Sequence, residues 1–297
     1  MDKPYIKSRE TRRGVSALRL GGVEDYSVFK TFDCGQCFRF EPIRDTELDC
    51  EVGGVAMGKY VTFGSLDGDL VITGDNIEDD LDVWTHYLAL DEDYVALMHD
   101  IENALDGDGR AVMEKAVATS HGIRILRQEP WEALCSFIIS QNNNIPRIKT
   151  IISSLSRNFG TEIDKFGVYS FPTAASLAKA GEEKLRELKV GFRAAYIADA
   201  ARKVVSGDID LDALRDLGDY NEAKRVLMTI HGVGPKVADC TLLFGLEYTE
   251  AFPIDTWMKK VAERHFSSGL DHTRFGRAAG LAQQYLFYME RYTSKEA

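Results

Sequence analysis

The apolar residues of this chain change their spacing near residue 80. Before that point they come in short runs, Cys37-Phe38-Arg39-Phe40, Tyr60-Val61-Thr62-Phe63 and Leu70-Val71-Ile72-Thr73, separated by Gly53-Gly54 and Asp67-Gly68. Such runs between turn residues predict an antiparallel sheet over about residues 15–75. From Leu81 the spacing becomes helical, through Trp84, Tyr87 and Leu88, then Tyr94, Leu97, Met98 and Ile101, and it stays so almost to the end. Pro130 opens a helix through Leu134, Phe137 and Ile138 that stops at Gln141, and a further helix covers Ile148 to Phe159. Two helix–turn–helix units follow. In the first, Leu185 and Leu188 lead to a turn at Gly191-Phe192-Arg193 and a second helix through Tyr196, Ile197, Ala201 and Val205. In the second, spanning 221–246, Ala223, Val226, Leu227 and Ile230 end at the hairpin Gly232-Val233-Gly234, and Pro235 starts a helix through Val237, Cys240, Thr241 and Phe244. The last helix is expected over Phe275 to Arg291. Together these elements predict an α+β chain: an N-terminal antiparallel β-sheet domain over 1–110, with Asp106-Gly-Asp-Gly109 as a loop at its end, followed by an all-α domain over 111–297.

Charge divides the chain in the same way. Of the 297 residues, 36 are Lys or Arg and 47 are Asp or Glu, a net of −11. Residues 1–110 carry 11 basic and 24 acidic residues; the rest carry 25 and 23. The acidity therefore belongs to the first third, and the helical part can still present a local basic face to nucleic acid. With little long-range steering available, affinity for such a partner would rest on specific phosphate contacts and a shaped pocket. The charged start, MDKPYIKSRETRRG, has no apolar signal region and no run approaches a membrane span, so an intracellular protein is expected, cytoplasmic or nucleoid-associated in a prokaryote and nuclear in a eukaryote. Five cysteines without a secretion signal predict free thiols. Cys34-Gly35-Gln36-Cys37 has no second cysteine pair at short spacing, which argues against zinc, and neither metal nor cofactor is expected.

Candidate chemistry gathers at the second hairpin. Two glycines one residue apart, Gly232 and Gly234, permit a positive φ and close approach by another backbone, and the free N–H groups of the following helix start favour a phosphate oxygen. Lys236 lies on the first turn of that helix, where the dipole disfavours the charged amine and so suits a nucleophile. Nineteen residues later Asp255 is a lone carboxylate after Phe252-Pro253-Ile254. The run Asn142-Asn143-Asn144 reads either as a capping turn or as a polar probe, and Phe192 either as core or as a wedge between base steps. Cys240 lies one turn after Lys236, and Phe287 one turn after Gln283, an arrangement that could stack and read an extruded base.

A GVG hairpin followed by Lys236 and, some twenty residues on, Asp255 resembles the helix-hairpin-helix DNA glycosylase superfamily, and within it the 8-oxoguanine DNA glycosylase/lyase family. The resemblance extends along most of the chain. Gly35-Gln36-Cys37-Phe38-Arg39 is similar to the family's GQ-x-FR segment, whose glycine carbonyl would accept the N7 hydrogen that 8-oxoguanine has and guanine lacks. Asn142 to Ile148, NNNIPRI, is similar to the segment that fills the gap left by an extruded nucleotide. The resemblance implies that Asn142 enters that gap, Arg147 and Arg193 read the widowed cytosine, Phe192 acts as the wedge, and Cys240 and Phe287 sandwich the base while Gln283 bonds its Watson–Crick edge. It further implies Lys236 as Schiff-base nucleophile, Asp255 as stabiliser of the developing positive charge, and Gly232 and Gly234 as phosphate anchors. Trp257 departs from the pattern, standing where many relatives have a phosphate-contacting histidine. No cysteine follows Cys240, which leaves no ligand set for an iron–sulfur cluster. The expected partner is duplex DNA containing 8-oxoguanine, bound by a monomer; a monofunctional glycosylase for alkylated bases and a non-catalytic DNA-binding module are the alternatives.

Overall fold

A computed structural model describes residues 4–23, 25–163, 167–266 and 269–296. Six antiparallel strands come first: β1 (Tyr5–Arg12), β2 (Val15–Gly21), β3 (Phe40–Pro42), β4 (Cys50–Ala56), β5 (Lys59–Leu66) and β6 (Asp69–Gly74), ordered β1-β2-β6-β5-β4-β3. The helix α1 (Val28–Asp33) interrupts them between β2 and β3. Register places Leu18 opposite Ile72, Ile72 opposite Phe63 and Phe63 opposite Val52. That row of buried apolar residues faces Phe32 and Phe40, and the helix α2 (Leu81–Tyr87) closes the layer with Trp84 and Tyr87. Phe63 stacks between Phe32 and Tyr87, with ring centroids 5.3 Å and 6.0 Å away. The sheet begins ten residues earlier than its apolar runs suggest. β1 reads YIKSRETR and alternates exposed and half-buried positions, and such charged alternation protects an edge strand.

The remaining elements are α3 (Tyr94–Ala104), α4 (Gly107–Ser120), α5 (Pro130–Ser140), α6 (Ile145–Phe159), α7 (Ala174–Glu187), α8 (Arg193–Ser206), α9 (Leu211–Asp216), α10 (Tyr220–Leu227), α11 (Pro235–Gly245), α12 (Thr256–His265), a 3-10 turn (His272–Ala278) and α13 (Ala279–Glu296). A two-strand ladder, Glu162–Ile163 with Val168–Tyr169, interrupts them after α6. A second, larger core binds these helices together, with α5 packed on α11, α7 on α8 and α13 on α4. Tyr94, Leu97, Ile101, Met113 and Ala116 belong to this core, and α4 spans residue 110.

Three local expectations change. The Asp106 to Gly109 stretch is the first turn of α4 rather than a loop: Asp106 occupies the cap position and the glycines are tolerated at an exposed helix start. The last helix is broken at Gly276, whose φ is +51°, so α13 begins at Ala279. Cys37-Phe38-Arg39 is a turn, and only Phe40 enters a strand. Its apolar residues go to different places: Cys37 is buried in the sheet core and Phe38 in the helical core, so the segment is where the two cores meet. The five cysteines are free. Among the described residues no helix is long and apolar enough to cross a membrane.

Candidate active site

The second helix–hairpin–helix is built by a division of labour between its glycines. Gly232 has φ +79°, and a Cβ there would lie 2.3 Å from the Tyr196 ring, so both conformation and space require glycine. Gly234 has φ −97°, caps α11 and has nothing within 4 Å of its Cβ position. Gly232 therefore packs the hairpin onto α8, and Gly234 leaves its outer face open to another backbone. Asp199 of α8 accepts the His231 N–H at 2.8 Å, which fixes the hairpin from the same side. Burial pushes the Asp199 carboxyl up, but the His231 N–H, Lys203 and Arg202 together hold it below the ordinary carboxylate range.

Directly after the hairpin, Pro235 takes the first helical position and Lys236 the second. The lysine reaches across to the end of α5, where Nζ lies 3.2 Å from Ser140 Oγ and 5.2 Å from the centroid of the Phe137 ring. Asp255 caps α12: one carboxylate oxygen accepts the N–H groups of Trp257 and Met258, each at 2.9 Å. Lys236 and Asp255 line one cleft of about 710 Å³, and among the described residues no ion pair joins them. The same cleft is bordered by Gly35, Phe287, Trp257 and the asparagine turn.

Beneath it lies a recess of about 50 Å³, lined by Gly35, Lys236, Cys240, Asp255, Gln283 and Phe287 among others. Room for one or two waters is far less than a purine needs. Phe287 sits against Gly35, its ring 3.7 Å from the position a Cβ would take there. Gly35 has φ +81°, so left-handed conformation, more than space, demands glycine. Gln36, buried behind it, donates to the carbonyls of Thr31 (2.9 Å) and Arg124 (2.8 Å) and accepts the Leu126 N–H (2.8 Å). It holds the Gly35 turn in place. Burial pushes the Cys240 thiol up to about 11 against the opposing pull of Lys236, so it remains a neutral, apolar wall beside the amine.

The three asparagines divide. Asn144 caps α6 by accepting the Arg147 N–H at 3.0 Å, and Asn143 donates to the Ile139 carbonyl, also at 3.0 Å. Asn142 is exposed at φ +47°, and its side chain bonds no described residue. Arg193 holds it there. Its guanidinium donates to the carbonyls of Gln141, Asn142 and Val190 through four of its five N–H groups. Phe192 is 45 % exposed, beneath the Arg193 guanidinium, so it stands at the surface instead of in the core. The Arg147 side chain is exposed and has no partner among the described residues. Trp257 packs edge-on to Phe287, with Lys260 over its ring at 4.5 Å. The structure thus brings Lys236, Asp255, Gly35, Cys240, Gln283, Phe287 and Trp257 to one cleft, with Asn142 at its rim. Sequence reasoning missed Ser140, Gln36 and Gln284. Of these Gln36 had a signal, since it stands inside the GQ-x-FR segment; Ser140 and Gln284 had none.

Comparison with known proteins identifies the family. Residues 22–134 match the family described as 8-oxoguanine DNA glycosylase, N-terminal domain, and residues 135–275 match the HhH-GPD superfamily of base excision DNA repair proteins. The N-glycosylase/DNA lyase of Saccharomyces cerevisiae is 41 % identical over 193 residues, 61 % of this chain and 50 % of the yeast protein; the matched region spans about half the length of such curated relatives. Among solved structures, MBOgg1 in complex with a low-affinity DNA ligand superposes with a TM-score of 0.87 at 36 % identity, covering 99 % of this chain and 100 % of that one. The Clostridium acetobutylicum 8-oxoguanine glycosylase/lyase, in complex with double-stranded DNA containing cytosine opposite 8-oxoguanine, gives 0.85 at 34 % identity over 97 % and 99 %. With similarity of this level over its whole length, the chain belongs to the 8-oxoguanine DNA glycosylase/lyase family.

Proposed function

We propose that this protein removes 8-oxoguanine paired with cytosine from duplex DNA and then cleaves the strand 3′ to the lesion. The observation that carries the reading is the shared cleft, in which a lysine amine and a capping carboxylate lie beside Gly35 and Phe287. Lys236, as the neutral amine, attacks deoxyribose C1′ while the glycosidic bond breaks and the base leaves with the electron pair and a proton. Asp255, fixed by two backbone N–H groups, stabilises the positive charge that develops on the sugar. The adduct nitrogen loses one proton, and the sugar ring then opens: the C1′–O4′ bond breaks, O4′ takes up a proton, and the resulting iminium, which keeps the second N–H, acidifies the C2′ hydrogen. Its removal expels the 3′-phosphate by β-elimination. Every group invoked comes from one polypeptide, so a monomer suffices, acting wherever the cell keeps its DNA.

Recognition rests on the rim and the recess. Arg147 offers a free donor fork to the cytosine left behind. Arg193, with one N–H to spare, reads the same base while it keeps Asn142 projecting into the gap. Phe192 wedges the duplex, and the open face of Gly234 with the helix start beyond it anchors a phosphate. Trp257 supplies an indole where a histidine would contact phosphate. The recess widens by movement of the Phe287 ring, which then stacks on the base opposite Cys240 while Gln283 bonds its Watson–Crick edge and the Gly35 carbonyl accepts the N7 hydrogen. Excision from duplexes with each of the four bases opposite 8-oxoguanine tests this: release should be fastest opposite cytosine, and equal rates would remove the roles given to Arg147 and Arg193. Release of alkylated bases without strand cleavage would instead establish the monofunctional alternative.

A further inference from the structure

Next to Gln283, the recess has a second amide. Gln284 is 4 % exposed and lines the same space as Lys236, Gln283 and Phe287. Its Nε2 donates to Gln283 Oε1 at 2.9 Å, while its own Oε1 is buried and accepts from no described residue. A buried acceptor without a donor is destabilising and uncommon, and where one persists in a ligand recess it is fit to be completed by the ligand. The bond between the two amides also settles their order. Gln283 Oε1 turns toward Gln284, which leaves the Gln283 N–H groups as donors, one lone pair of Gln283 Oε1 as an acceptor, and Gln284 Oε1 as a second acceptor. Donor, acceptor, acceptor is the complement of the guanine Watson–Crick edge, which presents the O6 acceptor, the N1 hydrogen and the exocyclic 2-amino group. Adenine has no amino group at that third position and would leave the second acceptor unmet.

We propose that Gln284 is a second base-reading residue, whose Oε1 accepts a hydrogen bond from the 2-amino group of a guanine-type lesion held in the recess. The inference rests on the glycosylase reading above and refines it: the site selects for the 2-amino group as well as for the oxidised imidazole ring. Gln284 also positions Gln283, and the two roles separate experimentally because only direct reading depends on the amino group of the substrate.

The test compares single-turnover excision of 8-oxoguanine and 8-oxohypoxanthine, the same lesion without its 2-amino group, each opposite cytosine, by wild type and Gln284→Met. Wild type should favour 8-oxoguanine by roughly tenfold, the scale set by one hydrogen bond with its desolvation. Gln284→Met should slow release of both lesions through Gln283 but slow 8-oxoguanine release by about that factor more, so that the preference between the two substrates disappears. Equal slowing on both substrates would make Gln284 a support for Gln283 alone and overturn the proposal, as would an unaltered variant. A wild type without preference overturns it too, and that comparison needs no variant to fold. Excision of neither lesion would instead remove the glycosylase reading on which the inference stands.

Discussion

The rim of the cleft and the recess beneath it are prepared to different degrees. At the rim Asn142 is exposed and held at a positive φ by Arg193, Phe192 projects from the start of α8, and the outer face of Gly234 is clear. The recess, at about 50 Å³, is closed by Phe287 against Gly35. On the proposed reading, the Gly234 face can be fixed in advance because it meets the phosphate backbone, which is the same at every sequence, whereas a base pocket left open would expose the apolar faces of Phe137, Cys240 and Phe287 to water. On the same proposed reading, opening is coupled to the arrival of a base, and only a base that completes the buried amides and the Gly35 carbonyl makes it favourable.

The largest separation between the two regions is expected at Lys236. Lys236→Gln should retain binding to a duplex with 8-oxoguanine opposite cytosine, because the rim is untouched, while excision falls by at least ~10³-fold; both are read in one gel-shift and single-turnover pair. Gly232→Ala should do the reverse. It forces a Cβ into the Tyr196 ring and a left-handed φ on alanine, the latter alone costing ~1–3 kcal/mol, and should lower both the unfolding midpoint and DNA affinity. Arg193→Ala removes the charge-assisted bonds that hold the Gln141 and Asn142 carbonyls, worth ~1.5–3 kcal/mol for such a bond, and should weaken binding to the 8-oxoguanine–cytosine duplex. Arg193→Lys should not restore it, since an ammonium cannot span both carbonyls and the base.

Smaller effects sharpen the contrast between the catalytic cleft and its scaffold. Glu132, at the junction of α5 with the sheet, is pushed up to about 7 by burial, with Arg39 pulling it down and Glu129 adding to the rise. A carboxyl raised in the folded state binds more protons there than when unfolded, so its burial costs nothing below about pH 4.5 and progressively destabilises the fold as pH rises to about 7. A rise from 4.5 to about 7 corresponds to an effect on the order of 3 kcal/mol. Denaturant unfolding at pH 5 and pH 8 should show wild type losing stability over this interval and Glu132→Gln losing less. Phe192→Ala should be almost silent in stability, within ~0.5 kcal/mol for so exposed a side chain, while weakening duplex binding measurably. A large drop in the unfolding midpoint would mean that Phe192 belongs to the core.

Much of this architecture was legible from spacing. The hairpin was, because Gly232, Gly234 and Pro235 constrain the backbone locally and the flanking apolar residues keep a helical period. Lys236 stood out by its place on the first turn after the hairpin, and Asp255 as a lone carboxylate after an apolar stretch. What escaped notice depends on contacts between distant segments. β1 carries no apolar alternation, being an edge strand whose pairing with β2 is what makes it a strand. Cys37 to Arg39 has strand composition, but Gln36 bonds it to residues some ninety positions away and bends it between two cores. Nothing in the sequence shows that Arg193 holds the Asn142 turn, that Ser140 meets Lys236, or that Gln284 faces the recess; each pairing is made by helix packing. The asparagine run was ambiguous for a related reason. Its residues are chemically equal and become distinct only through position, one capping α6, one tied to the end of α5, one held at a positive φ with its side chain unengaged.

The most direct test of the lysine mechanism is borohydride trapping on a labelled duplex with one 8-oxoguanine opposite cytosine, with wild type beside Lys236→Gln. A covalent protein–DNA adduct that forms with wild type and vanishes in the variant is the expected result. An adduct of undiminished yield in Lys236→Gln, or base release by wild type with no adduct at all, would contradict it.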